Sequence, residues 1–132
     1  MIDQLPKKPK TYECAVVNFN VSKNIGTHWI CYIKDHNTSY VFDSFGEQPP
    51  KRLVSYLSGT TIYYNDERIQ NFDEVTCGHL CVTVLKMYSN GAQFKDILSV
   101  LNAINIFGDV TSKYNNTGMH GSGVFTKICL LY

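Results

Sequence analysis

The sequence predicts an α+β fold in which an antiparallel sheet packs against a buried central helix. The first part of the chain alternates runs of aromatic and β-branched residues with short polar turns, a pattern typical of antiparallel strands. Residues 75–88 form a run that is apolar on almost every side, which indicates a helix inside the fold. The next run repeats apolar residues at steps of three and four, as a helix packed by one face does.

The predicted strands and a first helix follow one another in the first half of the chain. Tyr12–Phe19 (YECAVVNF) and residues 27–34 (THWICYIK) are predicted strands, and a third lies around residues 40–42, after the turn DHNTS. Three strands joined by short turns indicate a meander. PPKRLVSYL begins with prolines and has apolar residues at helical spacing, which predicts a short helix ending near Gly59; TIYYN predicts another strand.

Two longer helices are predicted in the second half. The apolar run 75–88 (VTCGHLCVTVLKMY) is the buried helix, and Asn90 and Gly91 are predicted to end it. The helix packed by one face is marked by Phe94, Ile97, Leu98, Leu101 and Ile104. After it, KYNNTGMHGSG is predicted to be a loop and VFTKICLLY a last strand.

Length and composition limit the class of protein. The 132 residues predict a single domain, 1–132, with residues 1–10 as a flexible N-terminal segment. Hydrophobic residues make up 44% and charged residues 17%, as in globular proteins, and the net charge of +1 does not favour nucleic-acid binding. The sequence lacks a run of about 20 apolar residues that could cross a membrane, and residue 1 does not open a signal peptide. We therefore expect a soluble, intracellular protein.

The cysteines are the first residues that suggest chemistry. They number five and include no CxxC pair, which favours free thiols over a disulfide framework or a zinc ribbon. Cys77 lies in the first turn of the predicted buried helix, where the helix dipole and unpaired N–H groups favour a thiolate. Gly78 lets a substrate carbonyl approach, and the N–H of Cys77 can help to hold an oxyanion. Buried cysteines more often only fill space, so a nucleophile here needs a base.

His28 is the best candidate for that base. It opens the second predicted strand and precedes Trp29, the only tryptophan, which would pack beside the imidazole. Asp43 ends the next strand, so antiparallel pairing would make the two side chains neighbours at one edge of the sheet. The carboxylate would orient the imidazole and stabilise the imidazolium. In the loop before Cys77, Gln70 or Asn71 offers an amide donor for the oxyanion.

These segments resemble a known family. CAVVNFNVSKNIGTHWICYI, YVFDSFG and QNFDEVTCGHLC are similar, in this order, to the cores of the adenovirus-type cysteine proteases, which include enzymes of Polinton/Maverick transposons and their viral relatives. The wider group includes the SUMO-specific proteases. The resemblance covers roughly residues 12–101 and implies a shortened form of their fold. The roles that it implies are general base for His28, orienting acid for Asp43, oxyanion donor for Gln70, nucleophile for Cys77, and a wall of the substrate groove for Trp29; Gly78 is predicted to contact the substrate from its place after Cys77.

The resemblance also implies an activity and its partners. Such enzymes are cysteine endopeptidases that use no cofactor and cleave polypeptides after small residues such as glycine. The viral and transposon members act on capsid or other structural precursor proteins, in host cytoplasm or nucleus or inside the virion. Adenoviral proteases bind an activating peptide through a cysteine between the acid and the glutamine, but none lies between Cys31 and Cys77. An activating peptide of another kind stays open, DNA activation is not supported by the charge, and residues 108–132 have no counterpart.

Three other interpretations fit parts of the pattern. A deubiquitinase or SUMO-type isopeptidase would use the same residues. A binding module could keep the fold without catalysis. A small metal protein could use Cys77, His79 and Cys81, but residues two and four apart do not share one helical face, so this site is geometrically poor.

Overall fold

A computed structural model of the chain describes residues 2–19, 28–69, 76–107 and 129–131. In these ranges the chain has α+β architecture, as predicted. A single 3₁₀ turn at Ile2–Gln4 comes first. The strands and helices that follow are β1 (Tyr12–Phe19), β2 (His28–Asp35), β3 (Thr38–Asp43), α1 (Lys51–Tyr56), β4 (Thr61–Tyr64), α2 (Thr76–Ser89), α3 (Phe94–Phe107) and β5 (Cys129–Leu131). The predicted loop KYNNTGMHGSG lies outside the described residues, and β5 falls within the predicted last strand.

The sheet is mixed, with the strand order β4-β3-β2-β1-β5. Strand β2 is antiparallel to both of its neighbours, β1 and β3. The outer strands β4 and β5 run parallel to β3 and β1. The prediction of an antiparallel sheet is therefore right for the three central strands and wrong for the two edges. At one edge the cause is α1, because a crossover helix returns the chain to the end of the sheet where β3 began.

A two-residue turn joins β2 to β3 and sets their register. His36, in this turn, has a φ of 55°, and its N–H donates to the carbonyl of Thr11 at 2.9 Å. Thr38 then lies opposite Asp35, and the register continues to Asp43 opposite Ile30. The tight hairpin thus determines which residues meet at the far end of the two strands.

Apolar side chains cover both faces of the sheet, which explains why β1 is buried along nearly its whole length. One face packs against α2 and α3, and its buried strand residues are Cys14, Val16, Cys31, Ile33 and Phe42. The other face packs against α1; its buried strand residues are Ala15, Val17, Ile30, Tyr32 and Val41, and they contact Leu53 of α1 and Leu57 at its end. Ile2 and Leu5, in the segment predicted to be flexible, pack against this second group. No helix in the described ranges is both long and apolar enough to cross a membrane.

Helix α2 packs on the sheet by one face only. The buried side of α2 includes Cys77, Cys81 and Val84. His79 and Val82 are exposed, and Val82 has 55% of its surface accessible to solvent. The prediction of a helix buried on every side is therefore wrong, because α2 lies in an outer layer with the sheet beneath it. The predicted end of the helix is confirmed: residue 91 is a glycine with a φ of 99°, which closes the last turn.

Helix α3 is the predicted amphipathic helix. Phe94, Ile97 and Leu101 are buried, and they pack in the same cluster as the buried side of α2. Lys95, Asp96 and Ser99 are exposed on the other side.

Candidate active site

The β2–β3 hairpin brings His28 and Asp43 together. Because Asp43 lies opposite Ile30, His28 is its diagonal neighbour on the same face of the sheet. Nε2 of His28 lies 2.7 Å from Oδ1 of Asp43. The two side chains are only 18% and 9% exposed, so water screens their attraction less than it screens a surface ion pair.

The carboxylate of Asp43 is fixed from several directions. Its Oδ1 accepts a hydrogen bond from the N–H of Phe45 at 2.8 Å, in addition to the contact with His28. The side-chain amide of Asn65 bonds to the main chain of Asp43 on both sides: Oδ1 accepts from its N–H at 2.9 Å, and Nδ2 donates to its carbonyl at 2.6 Å. Sequence reasoning missed Asn65, since an asparagine at the end of a short strand is typical of any turn.

The orientation of His28 determines which ring nitrogen can act as a base. An ionised carboxylate only accepts hydrogen bonds, so Nε2 carries the proton that points to Asp43. Nδ1 is buried and has no hydrogen-bond partner among the described residues. The ring of Phe45 packs on the imidazole, with 4.6 Å between the two ring centroids. The guanidinium of Arg68 lies 4.9 Å from the centroid of the Phe45 ring. When the imidazole is neutral, this arrangement leaves the lone pair on Nδ1.

Helix α2 delivers Cys77 to the same end of the sheet. Cys77 lies in the first turn of α2 and is 1% exposed. Its neighbour Gly78 faces the ring of Trp29, where an added Cβ would lie 3.6 Å from Cδ1. One turn further on, the thiol of Cys81 donates to the carbonyl of Trp29 at 3.4 Å. The first turn of α2 is therefore seated on the residue that follows His28.

Trp29 and Gly78, the two residues predicted to contact the substrate, thus lie next to each other. The distance of 3.6 Å at Gly78 is ordinary van der Waals contact, so an alanine would fit there without displacing Trp29. The structure places this glycine beside the tryptophan but shows no steric need for its missing side chain.

The remaining cysteines differ from Cys77. Cys31 on β2 and Cys81 on α2 are free and buried beside each other, between the sheet and the helix. A hydrogen bond to Cys31, burial, and the charges of Cys31 and Asp43 raise the pKa of Cys81, so its thiol stays protonated and is a poor nucleophile. Cys14 is disulfide-bonded. The expectation of free thiols is therefore wrong at this position, because spacing along the chain does not reveal which cysteines a sheet brings together.

Two predictions remain to be placed. Gln70 lies outside the described residues. Ile69, the residue before it, donates its N–H to the carbonyl of Ser44 at 2.9 Å, beside the turn that holds Asp43. In the alternative metal site, His79 is exposed while Cys77 and Cys81 are buried, and within the described ranges no three His, Cys, Asp or Glu side chains are grouped to hold a metal ion.

Comparison of the chain with protein-family models, with curated proteins and with solved structures gives no match. What the site can do is therefore judged from its residues and their geometry. The structure brings His28 and Asp43 into contact and places Cys77 in the first turn of α2, which rests on Trp29, but Nδ1 of His28 has no hydrogen bond to the Cys77 thiol. A histidine–carboxylate pair and a thiol in the first turn of a helix are residues suited to nucleophilic catalysis.

Proposed function

We propose that this chain is a cysteine endopeptidase in which Cys77 is the nucleophile, His28 the general base and Asp43 the acid that orients it. The observation that carries the proposal is the 2.7 Å contact between Nε2 of His28 and Oδ1 of Asp43. It leaves Nδ1 of His28 as the basic nitrogen, at the end of the sheet where the first turn of α2 rests on Trp29.

The proposed reaction begins when Nδ1 of His28 takes the proton from the thiol of Cys77. The thiolate attacks the peptide carbonyl, and N–H groups at the start of α2 hold the oxyanion, together with the Gln70 amide that the family resemblance suggests. One such donor is worth about 2.7–4 kcal/mol in another protease. The imidazolium, stabilised by Asp43, gives its proton to the leaving amine, and water then hydrolyses the thioester with His28 as base.

The proposed substrate class comes from the sequence resemblance. The segments that contain His28 and Trp29, Asp43, and Cys77 and Gly78 resemble those of the adenovirus-type proteases. By this likeness the chain adopts a shortened form of their fold and cuts polypeptides after small residues such as glycine. Capsid or other structural precursors encoded beside it are the proposed partners, in host cytoplasm or nucleus or in the virion.

The direct test separates the reactivity of the thiol from turnover. Wild-type protein is treated with iodoacetamide at pH 6, and the modified cysteine is identified by mass spectrometry. We expect rapid labelling at Cys77, because in the proposed mechanism His28 takes the proton of this thiol. The same protein is then incubated with a library of glycine-containing peptides.

Three variants complete this test. Cys77→Ala and His28→Ala are each expected to abolish peptide cleavage, whereas Cys81→Ala keeps it, since Cys81 is a protonated, buried thiol. Circular dichroism verifies that all three are folded. Cleavage that persists in Cys77→Ala would exclude the assignment of the nucleophile. Labelling of wild-type Cys77 no faster than that of free cysteine would favour a binding module without catalysis.

Ubiquitin and SUMO with an electrophilic carboxy terminus are added as further probes. Covalent capture of either by Cys77 would change the substrate class to a ubiquitin-like protein, while leaving the catalytic residues as proposed. A protease specific for structural precursors is expected to capture neither probe.

A further inference from the structure

We propose that Asn65 is a positioning residue that aims the carboxylate of Asp43 at His28. The inference rests on the proposed function, since it concerns the same histidine–carboxylate pair. It adds to the site a residue that touches neither the thiol nor the substrate and acts through Asp43.

The side chain of Asn65 continues the sheet where strand β4 ends. The last paired residues of β3 and β4 are Val41 and Tyr64, so Asp43 extends beyond the end of its neighbour. The Asn65 amide, which has the donor and acceptor of a peptide group, bonds to the N–H of Asp43 at 2.9 Å and to its carbonyl at 2.6 Å. Asn65 is 4% exposed and Asp43 6%, so water does not readily replace these bonds.

The two hydrogen bonds from Asn65 also affect the direction in which the Asp43 carboxylate points. Holding the N–H and the carbonyl of Asp43 fixes the Cα–Cβ bond, and the N–H of Phe45 then fixes Oδ1 by a hydrogen bond of 2.8 Å. Oδ1 is thereby held at 2.7 Å from Nε2 of His28. Small displacements of catalytic groups, of about 1 Å, can lower rates by about 10²-fold.

Loss of the Asn65 amide should not release the segment that carries it. Ile69 remains bonded to the carbonyl of Ser44 at 2.9 Å. The main chain at Glu67 also stays in close contact with Gly46. A variant at position 65 is therefore expected to fold and to lose mainly the alignment of Asp43.

The experiment compares Asn65→Ala with Asn102→Ala. Asn102 is a matched control, since it lies on α3 and lines the same cleft of about 190 Å³ as Asn65. The rate of Cys77 alkylation by iodoacetamide is measured from pH 5 to pH 9. We expect Asn65→Ala to label about 10- to 100-fold more slowly at pH 6 and at the wild-type rate at pH 9, where the thiol ionises without help. Asn102→Ala is expected to keep the wild-type profile.

A double variant tests whether Asn65 acts through Asp43. Asp43→Asn alone should slow labelling at pH 6, and adding Asn65→Ala should slow it no further, because the group being aimed is already gone. Additive losses, or a wild-type pH profile in Asn65→Ala, would overturn the proposal.

A second readout keeps this inference separate from the protease proposal. Nitrogen-15 NMR of the His28 imidazole follows the Nε2–H that points to Asp43, whether or not Cys77 is reactive. We expect this signal to shift or broaden in Asn65→Ala and to stay in place in Asn102→Ala. An unchanged signal in Asn65→Ala would refute the positioning role, even if the protein proves to be an active protease.

Discussion

Gly46 shows how a missing side chain can position a neighbouring segment. Its φ is +70°, and a Cβ at this position would lie 2.8 Å from the carbonyl carbon of Glu67 and 2.9 Å from the nitrogen of Arg68. Its own N–H donates to the carbonyl of Asp43 at 2.9 Å. The turn after β3 and the segment that contains Asn65 therefore meet through their main chains.

A comparison of two glycines isolates this close approach. Gly59 has a φ of +87° but nothing within 4 Å of an added Cβ. Gly59→Ala should therefore cost only the left-handed conformation, about 1–2 kcal/mol of unfolding free energy. Gly46→Ala should cost about 1–3 kcal/mol more, because the main chain of residues 67 and 68 must move. Urea unfolding of both variants measures the difference, and equal losses would contradict the described contact.

At the scale of elements, the sequence predicted local features better than it predicted pairings between distant segments. The three central strands, α3 and the end of α2 follow from the spacing of apolar residues and from turn residues such as Gly91. The spacing of His28 and Asp43 on neighbouring strands also predicted their contact. The parallel edges and the role of Asn65 could not be predicted, because both depend on how an irregular connection brings distant residues side by side.

Within helix α2, the sequence likewise does not show which apolar residues are buried. Val82 and Val84 are identical in type and two positions apart, so hydrophobicity alone places both in the core. In the structure Val82 is 55% exposed and Val84 fully buried. Only the direction in which the helix rests on β2 separates them.

The two valines provide a matched pair of substitutions. Val84→Ala should lower the unfolding free energy by about 2 kcal/mol, because it removes buried methyl groups and leaves a cavity. Val82→Ala should change it by less than about 0.5 kcal/mol, since the site is on the surface and alanine favours helix. Chemical denaturation of both variants checks this. A large loss in Val82→Ala would mean that another part of the chain covers this side of α2.

At the scale of the whole molecule, buried tyrosines connect several elements. The carboxylate of Glu13 on β1 accepts hydrogen bonds from the hydroxyls of Tyr32 on β2 and Tyr56 on α1, the second at 2.5 Å. Burial, together with the hydrogen bond and charge of Glu13, raises the pKa of Tyr32. Burial and the charge of Asp35 raise the pKa of Tyr12 to about 12. The folded protein therefore keeps these hydroxyl protons at pH values where an unfolded chain releases them.

This difference predicts loss of stability in alkali. The pKa values of these tyrosines are raised in the folded state above the ordinary value of 10.0. Their contribution is thus complete below pH 10 and is lost as the pH rises beyond it, by about 1.4 kcal/mol per pH unit for each group. Urea unfolding between pH 8 and pH 11 measures the slope.

Two phenylalanine variants test which tyrosine causes the loss of unfolding free energy above pH 10. Tyr32→Phe should reduce the slope above pH 10, because the titrating hydroxyl is gone, although the protein is less stable at pH 8 because Glu13 loses one of its hydrogen-bond donors. Tyr63→Phe, at a position 55% exposed, should leave the slope unchanged. A slope that Tyr32→Phe does not alter would contradict the assignment.

The two-residue turn between β2 and β3 also bears on the order in which the proposed catalytic residues come together during folding. Contacts between residues close in the chain form sooner than distant ones. The imidazole and its carboxylate belong to one short hairpin, whereas the sulfur arrives on a helix from much further along the chain. If the proposed mechanism holds, a molecule in which α2 has not docked carries the imidazole and the carboxylate but lacks the sulfur, so loosening α2 would stop hydrolysis.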